Sequence, residues 1–224
     1  MSYSKQKQPY KGLVKGVVSG NSLIINFIDK NIEPYMIINV DNLNAPRLGT
    51  NDGKIQDEPF AFDSWNYLRN LCIGKKVLVG PVIKKIHGRT PNEDKMVPCA
   101  YGYLKVAHSH IKVQVDNTEN FADVGEIICQ AGYARVRDIA PDFEPKTNSY
   151  LSKLQECQAE AEANKRGIWS EEEGLVRNLP VPYNDNQILK EREFTAIVEN
   201  VVNGTSLQLF LMPNHEFIIF QIAG

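Results

Sequence analysis

Apolar and polar positions alternate over three short early runs, near Leu13 to Ser19, Ser22 to Ile28 and Tyr35 to Asp41, each rich in Val and Ile and bounded by polar turns. A period of two between turn residues predicts three β-strands in a meander. The period changes after Leu48 to Asp57, which carries the Gly, Asn and Asp of a loop. Phe60, Trp65, Leu68 and Leu71 then fall close to helical spacing, with Asp57-Glu58-Pro59 ahead of them and Gly74 behind. Acids and a proline at the start and a glycine past the end predict a helix from Phe60 to Leu71. Lys75 to Val82 reads as a fourth strand, Lys84 to Met96 as a charged loop and Cys99 to Val106 as a fifth strand, with Ala107 to Val115 either prolonging it or forming another. Asn117 to Glu119 leads into a second helix near Ala122 to Ala131, capped by Gly132. The last helix, Tyr150 to Arg166, sets Leu154, Cys157 and Ala161 on one face and stops at Gly167. Five strands and three helices predict an α+β domain built on a small barrel, over residues 12–173, after a polar arm at 1–11.

The chain also repeats itself. KGVVSGNSLIINF, Lys15 to Phe27, returns as NVVNGTSLQLFL, Asn200 to Leu211, with Gly20, Ser22 and Leu23 matching Gly204, Ser206 and Leu207 at an offset of 184 residues. Tyr35 to Asn42 lines up in turn with Phe217 to Gly224 at an offset of 182. In both copies a Val-rich strand enters a turn centred on Gly and an apolar strand leaves it, the pattern of a β-hairpin. Leu179-Pro-Val-Pro-Tyr-Asn-Asp-Asn186 is a linker by composition, so residues 174–193 are expected to separate the first domain from an incomplete second copy at 194–224. The apolar residues of that copy, among them Val201, Leu207, Phe210 and Phe220, have no complete domain of their own. Its three strands are expected to pack onto the first domain or to pair with another copy of the chain.

Composition narrows the class without naming a chemistry. With 224 residues, 42% hydrophobic, the chain can bury one sizeable core and part of another. No apolar run approaches the roughly 20 residues of a membrane helix, and MSYSKQKQPYK lacks the apolar stretch of a signal peptide, so an intracellular protein with no membrane partner is expected. Cys72, Cys99, Cys129 and Cys157 are scattered and form no CxxC pair, which reads as buried thiols rather than a zinc site or a disulfide framework. The net charge of −2 conceals a split: residues 1–112 carry 16 Lys and Arg against 9 Asp and Glu, and residues 113–224 carry 9 against 18. Such a split makes a dipolar surface able to offer a basic side to an anionic partner, if the charges cluster in space.

Five pieces of sequence together carry a resemblance. The hairpin VSGNSL, the strand ending LNAP, the helix DEPFAFDSWNYLRNL with GKKV after it, EIICQAGYARV and EAEANKRGIWS stand in the order and spacing of a staphylococcal-nuclease domain. DEPFAF and the tandem copy resemble the N-terminal repeats of the Tudor staphylococcal nuclease family, over residues 12–172 and 194–224. The resemblance implies a five-stranded OB-type barrel, a fold that often binds single-stranded nucleic acid. It also implies RNA and proteins of silencing or transcription complexes as partners, in the cytoplasm with the nucleus as a further compartment.

The catalytic pattern of that family is not kept. Where catalytic members place a calcium-binding carboxylate after the hairpin glycine, this chain has Asn21, and Thr205 in the second copy. Their phosphate-binding Arg, calcium-ligating Asp and general-base Glu fall on Asn39, Asn44 and Arg47, around the retained Pro46, and a second catalytic Arg falls near Val97. Their nucleotide-stacking tyrosines fall near Asp138 and Ala140. Calcium wants charged carboxylate oxygens, and an arginine stays protonated and cannot serve as a base. The expectation is a site with no catalytic residues and no metal or cofactor, whose Arg47 remains suited to a phosphate.

Lys84, Lys85 and Arg89, in the basic stretch around His87, are further candidates for phosphate contact, weighed against a plain solvated loop. His108 and His110 have the spacing of one strand face but no third ligand, which favours solvent-facing histidines over a metal site. Trp65 reads as core, and Tyr101 and Tyr103 share a strand face that stacks bases or enters the barrel. Three functions stay open at this point: a nucleic-acid-binding scaffold repeat acting in RNA silencing or transcriptional co-activation, a calcium-dependent nuclease, and a protein-interaction platform able to self-associate.

Overall fold

Alternating apolar residues separated by a glycine turn do fold as a meander: β1 (Tyr10–Ser19), β2 (Ser22–Phe27) and β3 (Tyr35–Val40) pair antiparallel in sequence. The structure, a computed structural model, describes residues 8–30, 32–50, 53–80, 84–90, 93–107, 120–137, 149–177, 193–213 and 216–222. The side chains of 84–90, 93–96 and Asn200 lie outside that description. After the meander come β4 (Leu43–Asn44), α1 (Ala61–Cys72), β5 (Lys76–Val79), β6 (Lys84–Thr90), β7 (Glu93–Gly102) and β8 (Leu104–Ala107). The first repeat ends with β9 (Phe121–Asp123), α2 (Val124–Gln130), β10 (Arg135–Val136) and α3 (Ser149–Ala163), followed by a 3-10 turn at Gly167–Trp169.

The strand pairings run in a circuit. β1 pairs with β2 and β2 with β3, then β3 pairs parallel with β7 through Ile37 opposite Cys99 and Val40 opposite Gly102. β7 turns at Tyr103 into β8, which pairs antiparallel with β5, and β5 returns to β1 through Tyr10 opposite Val79. With β7 and β8 taken as one bent strand, this is the five-strand ring expected of the OB-type fold, and the three helices make the domain α+β. Inside the ring Leu23, Ile25, Ile38, Val79, Leu104 and Val106 are fully buried, with Leu68 and Cys72 of α1 and Ile128 of α2 closing the ends. Burial drives the Cys72 and Cys129 thiols up to about 12, so they remain protonated apolar fillers, and no cysteine is in a disulfide.

Gly74 and Gly132 follow α1 and α2 as their positions suggested, whereas α3 stops at Ala163, short of the expected Arg166: Lys165 takes the left-handed conformation (φ 50°) and Gly167 opens the 3-10 turn. Gly74, Gly132 and Gly167 all have positive φ, and the last two pack tightly: a side chain on Gly132 would overlap the Arg166 carbonyl, and one on Gly167 the Gly132 carbonyl. α2 is opened by Asp123, whose carboxylate accepts the Glu126 N–H at 3.1 Å. α1 departs from expectation. Its first acids do not serve the helix N-terminus: Asp57 accepts the Gly49 N–H at 2.7 Å and Glu58 accepts the Arg47 N–H at 2.8 Å, so both staple the preceding loop.

The stretch expected as a charged loop is a hairpin. Lys84–Thr90 and the start of β7 pair antiparallel, with Lys84 opposite Tyr101 and Gly88 opposite Val97. Its charged residues show no alternation, but β7 is held on its far edge by β3, which gives β6 a strand to extend. The candidate positions His108, His110, Asp138 and Ala140 and the linker Leu179 to Asn186 lie outside the described residues.

The second copy forms its own sheet, β11 (Ala196–Asn203), β12 (Ser206–Leu211) and β13 (Glu216–Gln221). One face lies on the first repeat. Phe210 is buried against Phe62 and Trp65 of α1, with ring centroids 5.4 and 5.9 Å away, and Phe217 and Ile197 close the cluster. Trp65 is therefore core, and its indole N–H is satisfied by the Val17 carbonyl at 3.1 Å. Arg69 of α1 adds a 2.9 Å hydrogen bond to the Val198 carbonyl.

Candidate nucleic-acid interface

The hairpin glycine sets the floor of the site. A Cβ at Gly20 would overlap the Ser64 hydroxyl and approach Ala45, so only glycine lets the β1–β2 turn sit on α1 and on the strand end carrying Ala45-Pro46. Ser64 is itself fixed by donating to the Tyr133 carbonyl at 2.6 Å. This packing brings three chain segments to one edge of the barrel: residues 43–47, the start of α1, and β10, whose Arg135 pairs with Asn44 in β4.

Between them lies an open cleft of about 630 Å³ lined by Asn44, Pro46, Arg47, Glu58, Phe60 and Arg135, among others. Asn44, Arg47 and Arg135 are exposed and Pro46 is buried beneath them. Arg137, next along the strand side, donates to the Asn44 side-chain oxygen at 3.2 Å while its guanidinium lies 5.1 Å from the Tyr101 ring centre. Tyr101 in turn stands opposite Lys84 in the β6–β7 register. A run of cationic positions thus passes from Arg47 and Arg135 in the cleft to Arg137 and, by way of Tyr101, to Lys84, whereas Lys85 and Arg89 stand opposite Ala100 and Met96, at the alternate positions of β6.

Of the expected site positions, Asn44 and Arg47 share the cleft and Asn21 adjoins it. The Asn21 amide donates to the Leu43 carbonyl at 2.8 Å and its oxygen accepts from the Ser19 hydroxyl at 2.9 Å. Asn39 is bridged to Asn21 through Ser22, whose hydroxyl bonds the Asn39 oxygen and approaches the Asn21 oxygen at 3.5 Å. The Asn39 amide also donates to the Cys99 sulfur at 2.9 Å, and burial raises the pKa of that thiol. Val97 goes elsewhere, into a buried apolar patch with Ile37 and Cys99. Arg135 and Arg137 were not singled out from the sequence. Their signal was the period of two in Arg135-Val136-Arg137, which puts both guanidinium groups on one side of a strand.

A family described as staphylococcal nuclease homologue matches residues 37–171. The curated protein ribonuclease TUDOR 2 of Arabidopsis thaliana is 29% identical over 98% of this chain, and ribonuclease TUDOR 1 of the same plant is 28% identical over the whole of this chain. Staphylococcal nuclease domain-containing protein 1 of Drosophila melanogaster is 26% identical over 95% of the chain. The chain spans 22% of the length of each of these three relatives.

Proposed function

The chain belongs to the staphylococcal nuclease homologue family, and from that premise we propose that its first repeat is a binding module that holds a nucleic-acid backbone, RNA above all, without cutting it. One observation carries the reading: two exposed arginines, Arg47 and Arg135, line one cleft together with Asn44, and the family resemblance sets its Asp and Glu at Asn44 and Arg47. Guanidinium groups match phosphate oxygens in a fixed fork, and each phosphate they neutralise releases counterions. Lys84 continues that line of cationic positions on β6, the edge strand, and Lys85 and Arg89 add two more at its alternate positions.

The donor set does not fit calcium. The oxygens of Asn21, Asn39 and Asn44 already accept from Ser19, Ser22 and Arg137, and none carries the charge that holds the ion. Glu58, a carboxylate of the cleft, is engaged by the Arg47 backbone. Arg47 supplies no base. A whole protein with more of the relatives' length could place this repeat in an RNA-silencing or co-activation assembly, as a scaffold repeat beside others.

The test is to incubate the chain with labelled single- and double-stranded RNA in calcium or in chelator and read retention and cleavage together. Retention with intact RNA in both conditions is expected. Calcium-dependent cleavage that disappears on Arg47→Ala would replace this reading with the nuclease one.

A separate observation favours a protein-interaction role for the second copy. Val198, Val201 and Phe220, on the sheet face turned away from the first repeat, are 46, 62 and 46% exposed. Self-association through that face is the reading, and a concentration-dependent sedimentation coefficient, abolished by Phe220→Asp, is the expected result.

A further inference from the structure

Arg177 lies beyond the last helix of the first repeat, yet its guanidinium is one of the most buried charges described, with 5% of its side chain exposed against 0% for its partner Asp57. The pair is bidentate, Nε to Oδ2 at 2.8 Å and Nη2 to Oδ1 at 2.7 Å, and the Arg177 backbone N–H adds a third bond to Oδ2 at 3.1 Å. Nη2 also donates to the Gly49 carbonyl at 3.0 Å, while the Gly49 N–H donates to Asp57. Burial works against the Asp57 charge, and the Arg177 guanidinium and the surrounding donors outweigh it and hold the carboxyl below its ordinary value.

This ion pair has a different neighbour on each side. On one, the guanidinium lies 5.6 Å from the ring centre of Phe210, the residue by which the second sheet docks on α1. On the other, Asp57 is followed directly by Glu58, whose carboxylate and backbone N–H hold the Arg47 backbone at 2.8 and 3.0 Å. The chain leading to Arg177 is pinned along the same helix start: Leu175 N–H donates to Asp63 at 2.9 Å, and Gly174 lies so close to Phe60 that a side chain there would overlap it. The path from the docked sheet to the cleft arginine is therefore continuous: Phe210, Arg177, Asp57, Glu58, Arg47.

We infer that Arg177 and Asp57 form a positioning clasp through which the docked second sheet fixes the Arg47 side of the cleft, so that the first repeat's grip on a phosphate backbone depends on the second repeat being seated. The inference rests on the proposed binding function for its consequence, and on the geometry alone for the clasp. Its chemistry is that of a buried pair: removing one partner strands a charge, whereas replacing both with neutral groups of similar shape leaves the fold close to its original stability.

The experiment uses the full chain, as wild type, Asp57→Asn/Arg177→Met and Phe210→Leu. Amide exchange is followed at Arg47, Gly49, Thr50 and Glu58, and affinity for a fluorescein-labelled single-stranded RNA is measured at low salt. Both variants are expected to speed exchange at those four amides while β1 to β3 keep their protection. They should also weaken RNA binding about twofold to thirtyfold, the range of coupling through packed networks. Arg47→Ala should then cost less affinity in the double variant than in wild type, because the arginine it removes is no longer held in place. Unchanged exchange at the four amides, or unchanged affinity in variants of a wild type that binds, overturns the inference and leaves the binding reading standing. A wild type that does not bind RNA sinks the functional reading and the affinity half with it, and the exchange pattern alone then supports or overturns the clasp.

Discussion

The two copies of the hairpin differ in almost nothing local and in almost everything about burial. β1 and β2 pair from Gly12 opposite Phe27 to Ser19 opposite Ser22, with register shifts after Val14 and Val17. β11 and β12 pair from Ala196 opposite Leu211 to Asn203 opposite Ser206, with shifts after Val198 and Val201, the same positions 184 residues on. Both bulges and the turn are thus written into the local sequence. Burial is not. Val14 and Ile38 are 1 and 0% exposed, and their counterparts Val198 and Phe220 are each 46% exposed. Gly20 is walled in by Ser64 and Ala45, whereas a Cβ at Gly204 would meet nothing within 4 Å. What the first copy has and the second lacks among the described residues is the later half of a barrel: α1, β5 and β8 laid over the same strand face. Local pattern decides register, and distant chain decides which face becomes a core.

The largest effect that sharpens this comparison is within the second sheet. Phe210 and Phe220 lie in adjacent strands on opposite faces, one seated on Trp65 and the other exposed. Phe210→Ala should cost about 3–5 kcal/mol in denaturant unfolding of the chain or of the docked sheet, and Phe220→Ala within about 0.5 kcal/mol. Equal losses would mean that the seated face is not what stabilises the sheet.

Next comes the pair Leu23 and Leu207. Leu23→Ala opens a hole in a closed core and should cost about 2–5 kcal/mol, while Leu207→Ala, only half-buried, should cost less than half as much. Urea midpoints at a common slope decide it.

A smaller effect depends on pH. Lys15 is exposed in the first copy, but its counterpart Glu199 is half-buried at the joint, and burial raises its pKa from 4.5 to about 7 against the pull of Arg69 and Arg177. Between those values the folded chain keeps a proton that the unfolded chain has released, so this contribution to stability is full below about pH 4.5 and is lost as pH rises to about 7. The slope is at most about 1.4 kcal/mol per pH unit, and Glu199→Gln should flatten it. A wild-type stability that rises across this window, with the same rise in Glu199→Gln, would contradict the assignment.

Much of this fold could be read from the residues. The hairpin repeat, the core position of Trp65 and the glycine stops at Gly74 and Gly132 all follow from spacing and local backbone chemistry. Lys84 to Met96 could not be read as strand, because its pairing depends on β3 presenting an edge to β7, a pairing across more than sixty residues. The cleft was half legible. Asn44 and Arg47 stood beside a recognisable Pro46, but Arg135 joins them only through the two-residue β4–β10 pairing. The Asp57–Arg177 pair spans 120 residues and left no local trace.

The smallest predicted effect concerns the extent of the basic track. Reversing Lys84, Lys85 and Arg89 to Glu should weaken single-stranded RNA binding and lower the log-log salt slope by about 0.7 for each phosphate no longer neutralised. Binding with an unchanged slope would confine the interface to the cleft.

The most direct measurement is that slope for the cleft itself. RNA affinity is followed from low to physiological salt for wild type and for Arg47→Ala/Arg135→Ala, with the RNA recovered and sized after each titration. The account predicts full-length RNA throughout and a slope shallower by about 0.7 for each arginine removed. An identical slope in the variant, or shortened RNA in the wild type alone, would contradict a cleft that holds a backbone without cutting it.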